Sequence, residues 1–305
     1  RDWNLFSCCH RVVGGSSEKT IEDNKYPLSL TKKLAVAKNL SGLDLMLLHN
    51  ELGIYIGKSI HNFIKKNKLD KSKINFISSH GHTIFHQPKN NLTTQIGNGA
   101  NISAITELPV ICDFRSVDIA LGGQGAPLVP IGDEILFSAY DYCINLGGIA
   151  NISYQKNNKR VAFDICAANI VLNKLAKKLG FNYDDEGKIA ASGNINVELL
   201  QQLNNLAYYK KNYPKSLGIE WIEKEIFPLL HASSISTKDK LSTFVEHIAV
   251  QISKAITSKN KTIFFTGGGT FNAFLMQRIK VNTPNNNIII PPKEIIEFKE
   301  ALIFA

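Results

Sequence analysis

Apolar positions along the chain follow two rhythms, and the switches between them mark the elements. From Asp44 to Lys65, the residues Leu45, Leu48, Leu52, Ile56, Ile60 and Phe63 recur at helical spacing, which predicts one long amphipathic helix. Short apolar runs predict strands at Ile74–Ile77, Thr94–Ile96 and Pro109–Cys112. Beyond about residue 140 the two rhythms alternate. Strands are predicted at Tyr142–Ile144, Arg160–Phe163, Thr262–Phe265 and Ile288–Ile290. Helices are predicted at Ala168–Leu179, Val197–Leu206, Lys238–Ser258 and Asn272–Ile279, with a last one starting near Glu294. That rhythm predicts an α/β fold whose sheet carries helices on both faces. A division near residue 140 gives two α/β parts, residues 1–139 and 140–305, with a ligand expected between them.

Glycine punctuates this pattern at informative places. Asn145-Leu146-Gly147-Gly148-Ile149-Ala150-Asn151 and Thr266-Gly267-Gly268-Gly269 each follow an apolar strand, and Phe163-Asp164-Ile165-Cys166 lies between them. Glycine there lets the backbone turn tightly, aim several N–H groups at one point and admit a bulky anion. Two such turns flanking an aspartate-bearing strand point to a nucleotide and to phosphoryl transfer. A further glycine run is Gly122-Gly123-Gln124-Gly125-Ala126-Pro127.

Asp164 is read at the end of a strand, beside Asn169, where a carboxylate faces a ligand crevice. Residue type and spacing alone leave two roles open, a base or a helix N-cap. Asp113 and Arg115 could form a local ion pair or hold an anionic substrate. The histidines of His80-Gly81-His82-Thr83-Ile84-Phe85-His86 lack the three or four converging ligands of a zinc site, so substrate hydrogen bonding or packing is the reading. Lys215, in Tyr213–Gly218, could meet a sugar or a carboxylate, or be a surface lysine.

Composition narrows the partners. Of the 305 residues, 44% are hydrophobic and 20% charged, which fits a globular protein. No run approaches the roughly 18 apolar residues of a membrane span, and no signal peptide is read at Arg1-Asp2-Trp3-Asn4, so no membrane partner and a cytoplasmic location are expected. The formal charge of +9 comes from scattered lysines without interleaved aromatics, so a solvated surface is expected rather than a nucleic-acid groove. Among the five cysteines, Cys112, Cys143 and Cys166 sit in or beside apolar runs and are expected to be buried thiols.

From His80 onward the chain resembles the anhydro-N-acetylmuramic acid kinase family. The resemblance rests on Ser79–Thr83, Gln95-Ile96-Gly97, Asp113-Phe114-Arg115, Gly122–Pro130, Asn145–Asn151, Phe163-Asp164, Pro214-Lys215-Ser216, Thr266–Gly269 with Asn272, and Glu300-Ala301. It implies the two-domain actin-like, sugar-kinase ATPase fold, with the first domain on the substrate side and the second binding nucleotide. It also implies cleavage of the 1,6-anhydro ring during phosphorylation of O6, with ATP and Mg2+ and without an added metal site in the protein. By position, Asp164 matches the family's catalytic base. Gly147, Gly148, Gly267, Gly268, Gly269 and Asn272 match nucleotide-loop positions. His80, Asp113, Arg115, Gly122, Gly123 and Glu300 fall on the substrate side, and Asn101 stands where relatives can carry a substrate-binding arginine. A homodimer is among the assemblies this allows. Residues 1–40 do not match the family's opening Met-Ser-Gly-Thr-Ser-Leu-Asp-Gly phosphate loop, for which Gly14-Gly15-Ser16-Ser17 is a poor substitute. The expectation is therefore a chain without that loop or the end of the terminal helix, with impaired turnover. The competing readings are a non-catalytic relic of such a kinase, or another sugar or carboxylate kinase of the same fold.

Overall fold

The periodic segment beginning at Asp44 forms the helix Gly42–Lys66 in the computed structural model, which describes residues 6–9 and 21–304. Ser41 caps it by accepting the Asp44 N–H at 3.1 Å. Leu48, Leu52, Ile56, Ile60 and Phe63 lie on its buried face, as their spacing predicts. Gly53 sits on the same face because a Cβ there would lie 2.6 Å from the Asn98 carbonyl, at the start of helix Gly99–Thr106.

The chain divides into two compact units. The first runs to Val129 and takes in the residues from Glu300 onward; the second is Pro130–Lys299. The division falls ahead of residue 140 because helix Val129–Leu136 carries Asp133 into the core of the second unit. The final helix, Lys293–Phe304, contributes to both units.

In the first unit, strands β1 (Phe6–Cys9) and β2 (Ile21–Asn24) pair antiparallel. Strand β3 (Ile77–Ser79) pairs in parallel with β6 (Val110–Cys112), and β4 (His82–Gln87) forms an antiparallel pair with β5 (Leu92–Ile96). Strand β3 begins three residues later than the apolar run Ile74–Ile77 predicts, because Asp70 nucleates a short turn over Lys71–Lys73. Strand β4 was hidden in the sequence by its polar, histidine-rich composition. Gly14–Ser17 lie outside the described residues.

The second unit is one mixed sheet in the order β11-β10-β7-β8-β9. Its strands are β7 (Tyr142–Leu146), β8 (Ile149–Lys156), β9 (Lys159–Ala167), β10 (Thr262–Thr266) and β11 (Asn287–Ile289). The first three form an antiparallel meander, while β10 runs parallel to both β7 and β11. Helices Asn169–Lys177, Val197–Asn204, Thr237–Ala255 and Ala273–Asn282 match the predicted segments to within a few residues. They close a continuous apolar core that includes Ile144, Leu146, Val171, Phe244, Ile248 and Phe265. Cys143 and Cys166 are buried thiols there, but Cys112 in the first unit is exposed, since β6 has a single partner strand.

Candidate functional site

Asp164 lies inside strand β9, which continues to Ala167, and not at a strand end. Its special placement has a different cause. Opposite β8, Asn151 pairs with Asp164 and Ala150 with Cys166, so Ile165 is an extra residue and the strand bulges beside the aspartate. Such a bulge re-aims the neighbouring side chain. The helix-cap role is not taken up: helix Asn169–Lys177 starts after Ala168 with no side-chain cap, and its first amides donate to the Gly147 and Gly148 carbonyls instead.

The loop Tyr213–Gly218 holds Asp164 from one side. The Leu217 N–H donates to Asp164 Oδ2 at 2.8 Å, and the Asp164 N–H donates to the Lys215 carbonyl at 3.2 Å. The Tyr208 hydroxyl donates to the Asp164 carbonyl at 2.6 Å. Among the described residues no donor engages Oδ1. Burial pushes the Asp164 carboxyl above its ordinary value, and the Leu217 N–H offsets part of that rise. Lys215 is half-buried, its ammonium lying over the rings of Tyr208 at 4.8 Å and Phe163 at 5.6 Å. Burial lowers its pKa.

The two glycine turns meet. Because β7 and β10 are parallel neighbours with Asn145 beside Thr266, both turns leave the same edge of the sheet. Gly267, with φ +85°, packs against Asn145 and Leu146, where a Cβ would stand 2.5 Å from Asn145 Oδ1. Gly269 packs on Leu146. At Gly148 a Cβ would meet Ile170 at 2.8 Å, while at Gly268 it would meet nothing within 4 Å. At Gly147 a Cβ would lie 3.1 Å from the Asn145 amide nitrogen and 3.5 Å from the Ile149 carbonyl. The Asn272 side chain accepts the Leu275 N–H at 2.9 Å as the N-cap of helix Ala273–Asn282, which occupies its oxygen.

In the first unit Arg115 organises the predicted residues. Its Nε donates to His80 Nε2 at 2.9 Å and its Nη1 to the Gly125 carbonyl at 2.6 Å. A guanidinium can only donate, so His80 is the neutral tautomer with the proton on Nδ1, which faces the Gly81 carbonyl at 3.1 Å. Burial and the Arg115 charge both lower the His80 pKa. Glu300 is an electrostatic partner of Arg115, and the neighbouring Phe304 ring lies 4.7 Å from the His80 ring. Asp113 does not pair with Arg115. It has φ +59° and accepts from the Ser116 hydroxyl at 2.5 Å. Gly123 wraps against Asp118, whose carboxylate accepts the Gly125 N–H at 2.6 Å, and Gly122 has φ +84° with open space about it. Asn101 reaches only the Asn50 carbonyl, at 3.4 Å.

Sequence reading missed Leu217 and Tyr208, because a backbone amide and a distant phenol carry no motif. It also missed Gly125, although the glycine run contains it.

With this geometry in place, the family assignment rests on two comparisons. The family model described as anhydro-N-acetylmuramic acid kinase matches residues 18–305. The chain belongs to that family. The match starts well before His80, where the recognisable motifs begin. The anhydro-N-acetylmuramic acid kinase of Hahella chejuensis is 34% identical over 301 residues, covering 93% of this chain and 80% of the relative. That of Shewanella amazonensis is 35% identical over 251 residues, covering 78% and 68%. Family membership makes the chain a phosphotransferase, and its two units are α/β as the resemblance implies. Component A of the (R)-2-hydroxyglutaryl-CoA dehydratase of Acidaminococcus fermentans is 14% identical with a TM-score of 0.46, covering 81% of each chain; that likeness is too distant to add to the assignment. No helix among the described residues is long and apolar enough to cross a membrane.

Proposed function

We propose that this chain transfers the terminal phosphoryl group of ATP to O6 of 1,6-anhydro-N-acetylmuramic acid while water opens the anhydro ring. The observation that carries this reading is the half-buried Asp164 beside a bulge, with one carboxylate oxygen tied to Leu217 and the other unengaged. A carboxyl raised by burial is a better base near neutral pH than an exposed one. Asp164 Oδ1 would take a proton from the water that adds to the anomeric carbon. The bond from that carbon to O6 then breaks, and O6 accepts the phosphoryl group.

The paired turns support the nucleotide role. The open space at Gly268 and the positive φ of Gly267 let backbone approach a phosphate or ribose where a side chain would intervene. Gly147, Gly148 and Gly267–Gly269 would hold the nucleotide, and Mg2+ bound with it would neutralise charge on the phosphates. The half-buried His80 and Arg115, with the exposed Glu300 as electrostatic partner of Arg115, are suited to orienting the sugar. ATP places the reaction in the cytoplasm.

The test is to incubate the purified chain with ATP, Mg2+ and the anhydro sugar, and follow ADP release with mass detection of the sugar. A product heavier by one phosphate and one water supports the reading. A product heavier by phosphate alone removes the hydrolytic step, and no product makes the chain a non-catalytic family member.

A further inference from the structure

Strand β9 is the outer strand of its sheet, so its far side has no neighbouring strand to take its backbone hydrogen bonds. At Asp164 a single segment, residues 208–217, takes them instead. The Asp164 N–H donates to the Lys215 carbonyl at 3.2 Å, and the Tyr208 hydroxyl donates to the Asp164 carbonyl at 2.6 Å. The Leu217 N–H reaches Oδ2 at 2.8 Å. One segment thus holds the amide, the carbonyl and one carboxylate oxygen of the same residue.

Two of the three contacts come from loop backbone, which many side chains could accompany. The third needs a hydroxyl. Tyr208 is only 4% exposed, and among the described residues the Asp164 carbonyl is the one hydrogen-bond partner of its hydroxyl. Burial raises the phenol's pKa, so the group stays a neutral donor. Its ring packs against Trp221, with centroids 5.2 Å apart, and under the Lys215 ammonium at 4.8 Å. The bulge at Ile165 interrupts the ladder with β8 beside Asp164, so that pairing fixes the aspartate less firmly than a regular strand would. A catalytic group gains from supporting contacts that hold it in place, because small displacements cost rate.

We propose that Tyr208 is a positioning residue for the reaction: its hydroxyl, with the backbone of Lys215 and Leu217, clamps the bulged edge of β9 so that Asp164 presents Oδ1 to the attacking water. This rests on the kinase reading above and adds the side chain that aims its base.

The experiment is steady-state kinetics of the full chain with ATP, Mg2+ and 1,6-anhydro-N-acetylmuramic acid. It compares the parent with Tyr208→Phe, Asp164→Asn, the Tyr208→Phe/Asp164→Asn pair and Trp221→Phe. Tyr208→Phe keeps the ring and loses only the donor. It should lower kcat about 10- to 100-fold and leave KM for both substrates within about two-fold, since a displacement of about 1 Å can cost 10²-fold in rate. In the Asp164→Asn background the same change should alter kcat less than about two-fold, because no base is left to aim. Trp221→Phe disturbs the packing of the Tyr208 ring without touching its hydroxyl, and kcat should stay near the parent value. Parent-like kcat in Tyr208→Phe overturns the inference. So does a loss of equal size with and without Asp164, or an equal loss in Trp221→Phe, since each marks Tyr208 as a packing residue. A Tyr208→Phe chain that does not fold has the same meaning. Parent-like turnover in Asp164→Asn instead removes the base itself, and no turnover by the parent removes the kinase reading; either takes this inference with it.

Discussion

The Leu217 amide and the Asp164 carboxylate are 53 residues apart in sequence and 2.8 Å apart in space, and this bond leaves the other aspartate oxygen unengaged. If that oxygen is the base, Asp164→Asn keeps the Leu217 contact but cannot take a proton. Turnover should fall by at least about 10²–10⁴-fold, the usual contribution of a positioned base. Binding of ATP should be unchanged by calorimetry. Turnover within about three-fold of the parent would remove Asp164 from the role.

The same residue sets a pH dependence. Burial raises the Asp164 pKa, so the folded protein holds this proton more tightly than the unfolded chain does. The penalty for ionisation is absent below the unfolded value near 3.9, develops through the raised folded value, and is complete at neutral pH. Asp164→Asn should therefore raise the melting temperature at pH 7, on the order of 2 °C, and give no gain near pH 3. The acid limb of kcat/KM should sit above the ordinary carboxylate range and vanish in the variant.

His80 predicts the opposite acid response in the first unit. Its folded pKa is lowered by burial and by Arg115, so protonation favours the unfolded chain. Stability should fall as pH drops through about 6.5, the unfolded value, because the charged ring cannot accept from Arg115. His49, His82 and His86 are also lowered and add to the slope. Replacing His80 with Gln should flatten the melting-temperature profile between pH 7 and 5 without abolishing its slope. An unchanged profile would refute the assignment.

Much of this was legible from spacing. The second unit follows the predicted alternation because its strands are apolar and its helices keep a 3.6-residue stripe, so period and burial agree. The first unit was harder. Strand β4, His82–Gln87, has only Ile84 and Phe85 among polar residues and no fully buried side chain, so no apolar run marks it; it pairs with β5, and Ile84 packs against the core. The glycine turns were readable as turns, but their contact with one another is a consequence of the parallel pairing of β7 and β10, which no local pattern states. Asp164 is read from the sequence at a strand end, whereas it lies within β9 beside the bulge at Ile165. A bulge is a property of register between two strands, so sequence alone could not show it.

Lys299 and Asp133 form an ion pair of 2.6 Å with side chains 5% and 4% exposed. Ser153 also donates to Asp133, and Arg160 Nη2 lies 3.9 Å from it while donating to Ser153 at 2.9 Å. Removing one partner strands a buried charge. Lys299→Met should cost about 3–5 kcal/mol in urea unfolding, whereas Lys299→Met with Asp133→Leu should recover much of that loss. Equal losses in both proteins would mean that the pair is not what stabilises the packing of the last helix against the sheet.

Gly267 and Gly268 are neighbours whose substitution should have different consequences. At Gly267 a side chain meets both a positive φ of +85° and the Asn145 and Leu146 atoms within 2.9 Å. Gly267→Ala should therefore destabilise the second unit, by about 1–3 kcal/mol from backbone strain alone. At Gly268 there is no positive φ, and a Cβ meets open space. Gly268→Val should leave the melting temperature within about 2 °C of the parent, since surface changes away from special features usually stay within ±0.5 kcal/mol. If that open space is where the nucleotide lies, the same change should weaken ATP binding at least about ten-fold, because the valine fills space the ligand needs, as overpacking penalties of 1–3 kcal/mol imply. Normal ATP affinity in Gly268→Val, with the fold intact, would take this turn out of the nucleotide site.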